Sequence, residues 1–111
     1  MSDESRYKIL KLLADNPDTN QRQIAQTLGI SLGKVNYCIK ALMSKGWIKA
    51  VNFKSSPDKK AYAYLLTLKG LEEKKNVTMH FLEHKKREHE ILIKELEELR
   101  NEVDQMKRQG F

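Results

Sequence analysis

Apolar residues in the first part of the chain recur at helical rather than strand spacing. Residues 4–14 predict a helix with more apolar positions than one buried stripe needs, so we expect it to pack on two sides. These positions are Tyr7, Ile9, Leu10, Leu12 and Leu13. The run Asn16-Pro17-Asp18 ends this helix, because proline cannot continue the hydrogen-bond ladder and disfavours helix in the residue before it.

Two further short helices follow, each opened by a capping residue and closed by a glycine. Asn20 is a good N-cap for the second helix, which Gly29 ends. Ser31 caps the third helix, and Gly46 marks its end. Apolar residues recur every three to four positions, at Ile24, Ala25 and Leu28 on the second helix and at Val35, Ile39 and Leu42 on the third.

Beyond Gly46 the pattern becomes that of a β-hairpin and then of one long helix. Segments 47–53 and 61–66 are rich in aromatic and aliphatic strand formers, and the turn Ser55-Ser56-Pro57-Asp58 separates them. From Thr67, a candidate N-cap, to about residue 108 there is no proline and a single glycine, Gly70. This stretch predicts a helix of roughly 40 residues, about 60 Å long.

The segment from Gln21 to Lys40 has the spacing of a helix-turn-helix. A small residue, Ala25, stands where the third helix would cross, and Gly29 suits a left-handed turn. The wedge between the helices is filled by Ile24, Leu28, Ile30 and Val35. The side chains left on the outer face are Ser31, Leu32, Gly33, Lys34, Asn36, Tyr37 and Lys40. An ordinary helical bundle with a small-residue turn is the alternative interpretation.

The outward residues are of types that bind DNA. Asn36 can pair bidentately with adenine, and Lys34 and Lys40 can reach guanine or phosphate. Tyr37 can touch a thymine methyl or a phosphate, and Gly33 permits close approach of the backbone.

The excess positive charge lies in the same part of the chain. The net charge is +6, and residues 1–70 hold 12 Lys/Arg against 5 Asp/Glu, whereas residues 71–111 hold 9 against 10. Within residues 20–60 there are 8 basic residues and a single acid, Asp58. Although lysines also serve solubility, solubility does not require so few acids over this stretch, so we expect a polyanion as partner.

The hairpin after the third helix is placed to act as a wing. Its tip would carry Lys54, Ser55, Ser56, Lys59 and Lys60. We expect these residues to contact phosphates, because lysine is less suited than arginine to a narrow minor groove. A solvated turn without DNA contact is the alternative.

The chain resembles the MarR family of winged-helix transcription regulators over roughly residues 3–80. The resemblance rests on the segments 31–48, Asp58-Lys59-Lys60 and Leu66-Thr67-Leu68-Lys69-Gly70. Three stretches are similar to the subgroup associated with exopolysaccharide gene clusters: residues 32–38, Lys45-Gly46-Trp47 and residues 61–67.

This resemblance implies a sequence-specific, dimeric DNA-binding protein whose recognition helix presents Lys34, Asn36, Tyr37 and Lys40. The sequence departs from the family at two points. The family's wing usually carries Asp-x-Arg, whereas this chain has Lys60 in the place of the arginine. Family members also usually have several carboxy-terminal helices, whereas this chain has one, so we assign no small-molecule effector.

The end of the long helix carries a heptad seam. With Leu96 and Val103 at the a positions, the d positions are Leu92, Leu99 and Met106. A parallel pair sets Glu95 opposite Arg100 and Glu102 opposite Lys107, whereas an antiparallel pair sets glutamates against glutamates. Further back, His89 occupies a and Lys85 occupies d before Leu82 returns.

This seam is too short to hold a dimer alone, so we expect the first helix to add to the interface. Further apolar residues would contribute from the long helix, namely Leu68, Leu71, Phe81 and Leu82. A helix that folds back on its own domain is the alternative interpretation.

The predicted fold class is therefore mainly α with a small β-hairpin. A winged helix-turn-helix domain would occupy residues 1–70, and residues 71–111 would form a dimerising coiled coil. We expect a homodimeric regulator that binds an inverted repeat in double-stranded DNA. The rival interpretation is a winged-helix adaptor that binds protein or RNA and assembles through the coiled coil.

Other chemistry receives little support from the sequence. No catalytic constellation or phosphate-binding glycine loop is present, so we expect neither an enzyme nor a cofactor. His80 and His84 could chelate a metal with Glu88, but two surface histidines explain them better. The lone Cys38 is either a small core residue or a redox sensor. With no membrane-spanning run, signal peptide or disulfide pair, we expect a cytoplasmic protein without membrane contact.

Overall fold

The computed structural model describes residues 2–17, 19–52 and 62–110. The elements are α1 (Asp3–Asp15), α2 (Gln21–Leu28), α3 (Leu32–Ser44), β1 (Ile48–Asn52), β2 (Tyr62–Leu66) and α4 (Leu68–Arg108). The chain forms two compact units, Met1–Met79 and His80–Phe111. The predicted fold class, mainly helical with a hairpin and one long C-terminal helix, is confirmed.

Helix α1 packs its apolar side into the core of the first unit. The Ser2 side chain accepts a hydrogen bond from the Ser5 N–H and caps the helix, and Asn16 forms its C-cap. Beyond the proline, the Thr19 hydroxyl donates to the Asn16 carbonyl at 2.7 Å. The apolar residues predicted for this helix are buried at Ile9, Leu10 and Leu13 and half-buried at Tyr7 and Leu12.

The core of the first unit joins three helices to the hairpin. Residues with almost no exposed surface come from α1, α2 and α3, and the strands add larger side chains against them. These core residues are Ile9, Leu10, Leu13, Ile24, Val35, Cys38, Ile39, Leu42, Trp47, Ile48, Tyr64 and Val77. The burial of Val77 shows that the first three turns of α4 belong to this unit.

The hairpin is a two-stranded antiparallel sheet. Its register runs from Ile48 opposite Leu66 to Asn52 opposite Tyr62. The two predicted strands are confirmed over these residues, and the predicted turn at 55–58 lies outside the described part of the chain.

The junction between β2 and α4 is fixed by Thr67 and Gly70. The Thr67 backbone N–H donates to the Trp47 carbonyl at 3.0 Å, and its hydroxyl donates to the Gly46 carbonyl at 2.6 Å. The same hydroxyl oxygen accepts from the Gly70 N–H at 3.0 Å, which confirms Thr67 as the cap of α4. Any Cβ at position 70 would overlap the Trp47 carbonyl group, so only glycine fits this close approach.

The second unit consists of the helical continuation of α4. Helix α4 runs without interruption to Arg108, as predicted, and ends on basic residues that complement the helix dipole. None of the described helices has the length and apolar character needed to cross a membrane.

Candidate DNA-binding surface

Local hydrogen bonds and a left-handed glycine define where α2 begins and ends and where α3 begins. Asn20 forms a capping box at the start of α2, in which its side chain accepts from the Gln23 N–H while the Gln23 side chain accepts from the Asn20 N–H. At the other end Gly29 has φ of 66°, a left-handed conformation that glycine adopts without steric cost. Ser31 then caps α3 by accepting from the Lys34 N–H at 3.1 Å. The predicted roles of Asn20, Gly29 and Ser31 at the helix ends are confirmed.

The predicted wedge fills the space between the two helices. Ile24 and Val35 have no exposed surface, and Leu28 and Ile30 pack against them while remaining partly exposed. Because these side chains point inward, the opposite side of α3 is left on the surface.

The outer face of α3 is exposed. Gly33, Tyr37 and Lys40 follow one another at intervals of four and three residues and form a single stripe, with Lys34 beside it. Tyr37 has 65% of its surface exposed, a large fraction for an aromatic residue in so small a unit. Ser31 and Leu32 are also exposed, at the start of the helix. A Cβ added at Gly33 would touch nothing, so packing within the protein does not explain the glycine.

This face carries positive charge without compensating acids. Residues 19–52 contain Arg22, Lys34, Lys40, Lys45 and Lys49 and neither Asp nor Glu. Within the described residues, no carboxylate forms an ion pair with Lys34 or Lys40. The Lys45 ammonium lies 5.0 Å from the centroid of the Trp47 ring, where the π-face attracts a cation.

Asn36 differs from its neighbours on α3, because it is half-buried and hydrogen-bonded. Its Oδ1 accepts from Gln21 Nε2 at 3.3 Å, and the same nitrogen donates to the Tyr64 hydroxyl at 2.9 Å. No local sequence pattern indicates this contact, because the three residues belong to different elements.

The wing is described only at its strands. Both strands pack beside the helix-turn-helix, and Tyr64 is 7% exposed. The residues predicted for the wing tip, Lys54, Ser55, Ser56, Lys59 and Lys60, lie outside the described residues.

In the second unit, the apolar residues predicted for the seam are all exposed on α4. Their exposed fractions range from 41% at Leu96 to 57% at Leu99, and the other three are Leu92, Val103 and Met106. Leu82, predicted as a further dimer contact, is 52% exposed. Ile91 and Ile93 are also exposed and widen the apolar face near the start of the seam.

The remaining candidate residues have ordinary environments. Cys38 is 1% exposed and belongs to the core, as the first of its two interpretations predicted. His84 Nε2 lies 3.5 Å from a Glu88 carboxylate oxygen one turn along the exposed helix. Within the described residues, no three potential metal ligands come together.

The arrangement of α2, turn, α3 and hairpin agrees with a comparison of the sequence with protein families. Residues 2–49 match the model of the winged helix-turn-helix DNA-binding family. The first unit has the winged helix-turn-helix fold. Among curated proteins, none matches this sequence.

Several solved structures of regulators are similar to this winged helix-turn-helix chain. The transcriptional repressor CouR, solved bound to a 23-mer DNA duplex, is 29% identical over 68% of this chain and 51% of its own, with a TM-score of 0.61. Streptococcus pneumoniae FabT, in complex with DNA, is 24% identical over 79% of this chain and 58% of its own, with a TM-score of 0.59.

Staphylococcus aureus MarR, in complex with salicylate and kanamycin, is 23% identical over 75% of this chain and 54% of its own, with a TM-score of 0.60. The structural neighbours of the winged helix-turn-helix are thus MarR-type regulators. This chain spans about half the length of the structures it matches.

Proposed function

We propose that this protein is a sequence-specific transcription regulator that binds double-stranded DNA as a homodimer. The observation that carries the proposal is the outer face of α3, which is exposed, positively charged and free of acids within a winged helix-turn-helix. A helix of this kind enters the major groove and reads base edges.

Each residue of the α3 face has a proposed role. Gly33 lets the backbone come close to DNA, and Lys34 and Lys40 contact guanine or phosphate. Tyr37 packs its exposed ring against a thymine methyl or the sugar-phosphate backbone. Ser31, beside the helix start, donates to a phosphate, and Asn36 contacts a base.

The wing residues would add affinity without sequence information. We assign Lys54, Ser55, Lys59 and Lys60, which the sequence predicts at or beside the turn of the hairpin, to phosphate contacts on either side of the major-groove site. The excess of lysine over acids in this segment supports that role.

The proposed dimer forms through α4. Five apolar side chains at heptad spacing remain about half exposed. Their contact with water is unfavourable, and packing against the same seam of a second copy would bury this apolar surface. The charges favour a parallel pair, because Glu95 then faces Arg100 of the partner subunit and Glu102 faces Lys107 of the partner subunit. Parallel pairing on a two-fold axis presents both recognition helices to an inverted repeat, with half-site centres about 10 base pairs apart or a multiple of that spacing.

The proposal extends to the class of genes that the protein regulates. The similarity of residues 32–38 and 61–67 to the exopolysaccharide-associated subgroup supports a role in controlling exopolysaccharide biosynthesis genes.

Selection of bound duplexes from a random DNA pool tests the proposed function. We expect an inverted repeat to emerge, and Asn36→Ala to lower the ratio of specific to non-specific affinity by about fivefold or more, since a lost base contact costs about 1–3 kcal/mol. Gln26→Ala, a change at an exposed position of α2, is the matched control and should keep the ratio. An adaptor would instead select no sequence or bind bulk RNA equally well, and either result would reject the proposal.

The orientation of the seam has its own test. A cysteine introduced by Met106→Cys near the end of α4 faces its own copy only in a parallel pair, so mild oxidation should give a cross-linked dimer. The buried native thiol of Cys38 does not compete. An antiparallel pair would place residue 106 opposite the other end of the seam and leave the protein uncross-linked.

A further inference from the structure

We infer that Gln21 is a specificity-determining residue that makes Asn36 read a keto base, guanine or thymine, in the major groove. The inference rests on the proposed function, in which α3 is the recognition helix, and it adds which base edge Asn36 reads and what decides it. It departs from the bidentate pairing with adenine that the residue type alone predicts.

The first step is the orientation of the Asn36 carboxamide. Its Oδ1 lies 3.3 Å from Gln21 Nε2 and accepts a hydrogen bond from it, so the oxygen is directed toward the start of α2. Within the described residues, the two N–H donors of Asn36 Nδ2 make no hydrogen bond. These donors are the part of the side chain left for a ligand.

The second step is what holds Gln21. Its Nε2 carries two hydrogens, one for Asn36 and one for the Tyr64 hydroxyl at 2.9 Å. Tyr64 is 7% exposed and belongs to β2, which is paired with β1. Gln21 is itself the first residue of α2, directly after the Asn20 cap. The orientation of Asn36 is therefore set by a rigid strand and a capped helix.

The third step is the chemistry of the base edges. In the major groove guanine presents two acceptors, N7 and O6, and thymine presents one, O4. Adenine instead combines the N7 acceptor with the N6 donor, and cytosine presents the N4 donor. Bidentate pairing with adenine needs the Asn oxygen aimed at the base to accept from N6. An Asn36 that turns its oxygen toward α2 and its amino group outward offers only donors to the base. Guanine and thymine accept from it, whereas the N6 donor of adenine and the N4 donor of cytosine would be left without an acceptor.

A single substitution should reverse this preference. Gln21→Glu keeps the shape of the side chain but removes both donors, because a carboxylate only accepts. Asn36 Nδ2 would then donate to the introduced carboxylate, and the carboxamide would turn over to present its oxygen to the base. The position read by Asn36 should change from a keto base to an amino base.

The matched control is Gln23→Glu. Gln23 is exposed on the same turn of α2, and its side chain accepts from the Asn20 N–H, a role that a carboxylate also fills. This control adds the same negative charge near the DNA and keeps the capping box. It should weaken binding to all sequences without changing any base preference.

The experiment selects DNA from a random duplex pool with the wild-type chain, Asn36→Ala, Gln21→Glu and Gln23→Glu, after thermal unfolding has shown that each is folded. The position that loses its preference in Asn36→Ala identifies the base that Asn36 reads. We expect guanine or thymine there for the wild type and adenine or cytosine for Gln21→Glu. Anisotropy titrations of duplexes that differ at this base should show the ratio of affinities changing by about fivefold or more.

Each other outcome has a distinct meaning. If the wild type selects no sequence, the proposed function fails. If the wild type selects a sequence but Asn36→Ala changes no position of it, Asn36 reads no base, and this inference is overturned while the proposed function stands. If Asn36→Ala changes one position but that position is adenine or cytosine in the wild type, the inference about orientation is overturned. It is also overturned if Gln21→Glu behaves like Gln23→Glu, because Gln21 would then act on the phosphate backbone.

Discussion

Gly70→Ala should destabilise the first unit, although alanine is normally the better residue in a helix. A Cβ at this position would overlap the Trp47 carbonyl group, which is backbone and cannot rotate away. Relief of the overlap would separate α4 from the end of α3 and lengthen two hydrogen bonds from Thr67, one to the Trp47 carbonyl at 3.0 Å and one to the Gly46 carbonyl at 2.6 Å.

The magnitude follows from three contributions. Overpacking costs about 1–3 kcal/mol and the two weakened hydrogen bonds about 1 kcal/mol each, whereas the higher helix propensity of alanine returns about 1 kcal/mol. We expect a net loss of about 2–4 kcal/mol in the free energy of unfolding. For a domain of this size that lowers Tm by about 10 °C or more.

Urea denaturation followed by the fluorescence of Trp47, the single tryptophan, measures this loss. Protein concentration is held fixed because a dimer's apparent stability depends on it. Gly33→Ala is the control, since its Cβ meets nothing within 4 Å on α3 and should leave stability unchanged or raised by about 0.5–1 kcal/mol. A Gly70→Ala variant within about 0.5 kcal/mol of wild type would refute the reasoning about the close approach.

The same Gly33→Ala protein should bind its selected operator more weakly despite its full stability, which an anisotropy titration measures; unchanged affinity would remove Gly33 from the interface. If the proposed dimer forms through α4, Leu99→Glu should make the protein monomeric in sedimentation at micromolar concentration, whereas Asn101→Glu, two residues along the same exposed helix, should leave it dimeric. A dimeric Leu99→Glu would reject the seam. His89→Leu should make the free energy of the proposed dimerisation more favourable by about 2 kcal/mol, because it extends the apolar seam. A dimer dissociation constant that does not fall would show that His89 is not part of the seam.

The fold could be predicted from the sequence where local chemistry decides it. The capping roles of Asn20 and Ser31 and the left-handed turn at Gly29 depend on neighbours within four residues, so their residue types alone indicate helix ends. The hairpin was predictable because strand formers occur on both sides of a turn sequence.

The tertiary contacts of the candidate site could not be read in the same way. Asn36 was predicted on the outer face of α3 from periodicity, but its bond to Gln21 depends on how α2 crosses α3 and on where β2 brings Tyr64. Gly70 was visible as an isolated glycine near the start of a helix, yet its need for glycine comes from the Trp47 carbonyl 23 residues earlier. Contacts of this separation leave no periodic signal.

The burial of Cys38 gives the molecule a built-in chemical reporter. It is the single thiol of the chain, it lies on α3 and it is 1% exposed, so a thiol reagent can modify it only when α3 opens. The modification rate in the native state therefore measures the opening equilibrium of that helix without any label or mutation. If the operator binds at α3 as proposed, it keeps that helix closed, so at a DNA concentration 100 times Kd the reaction should slow by about 100-fold. The rate at which the Cys38 thiol is modified thus reports the fraction of the protein that is bound to DNA.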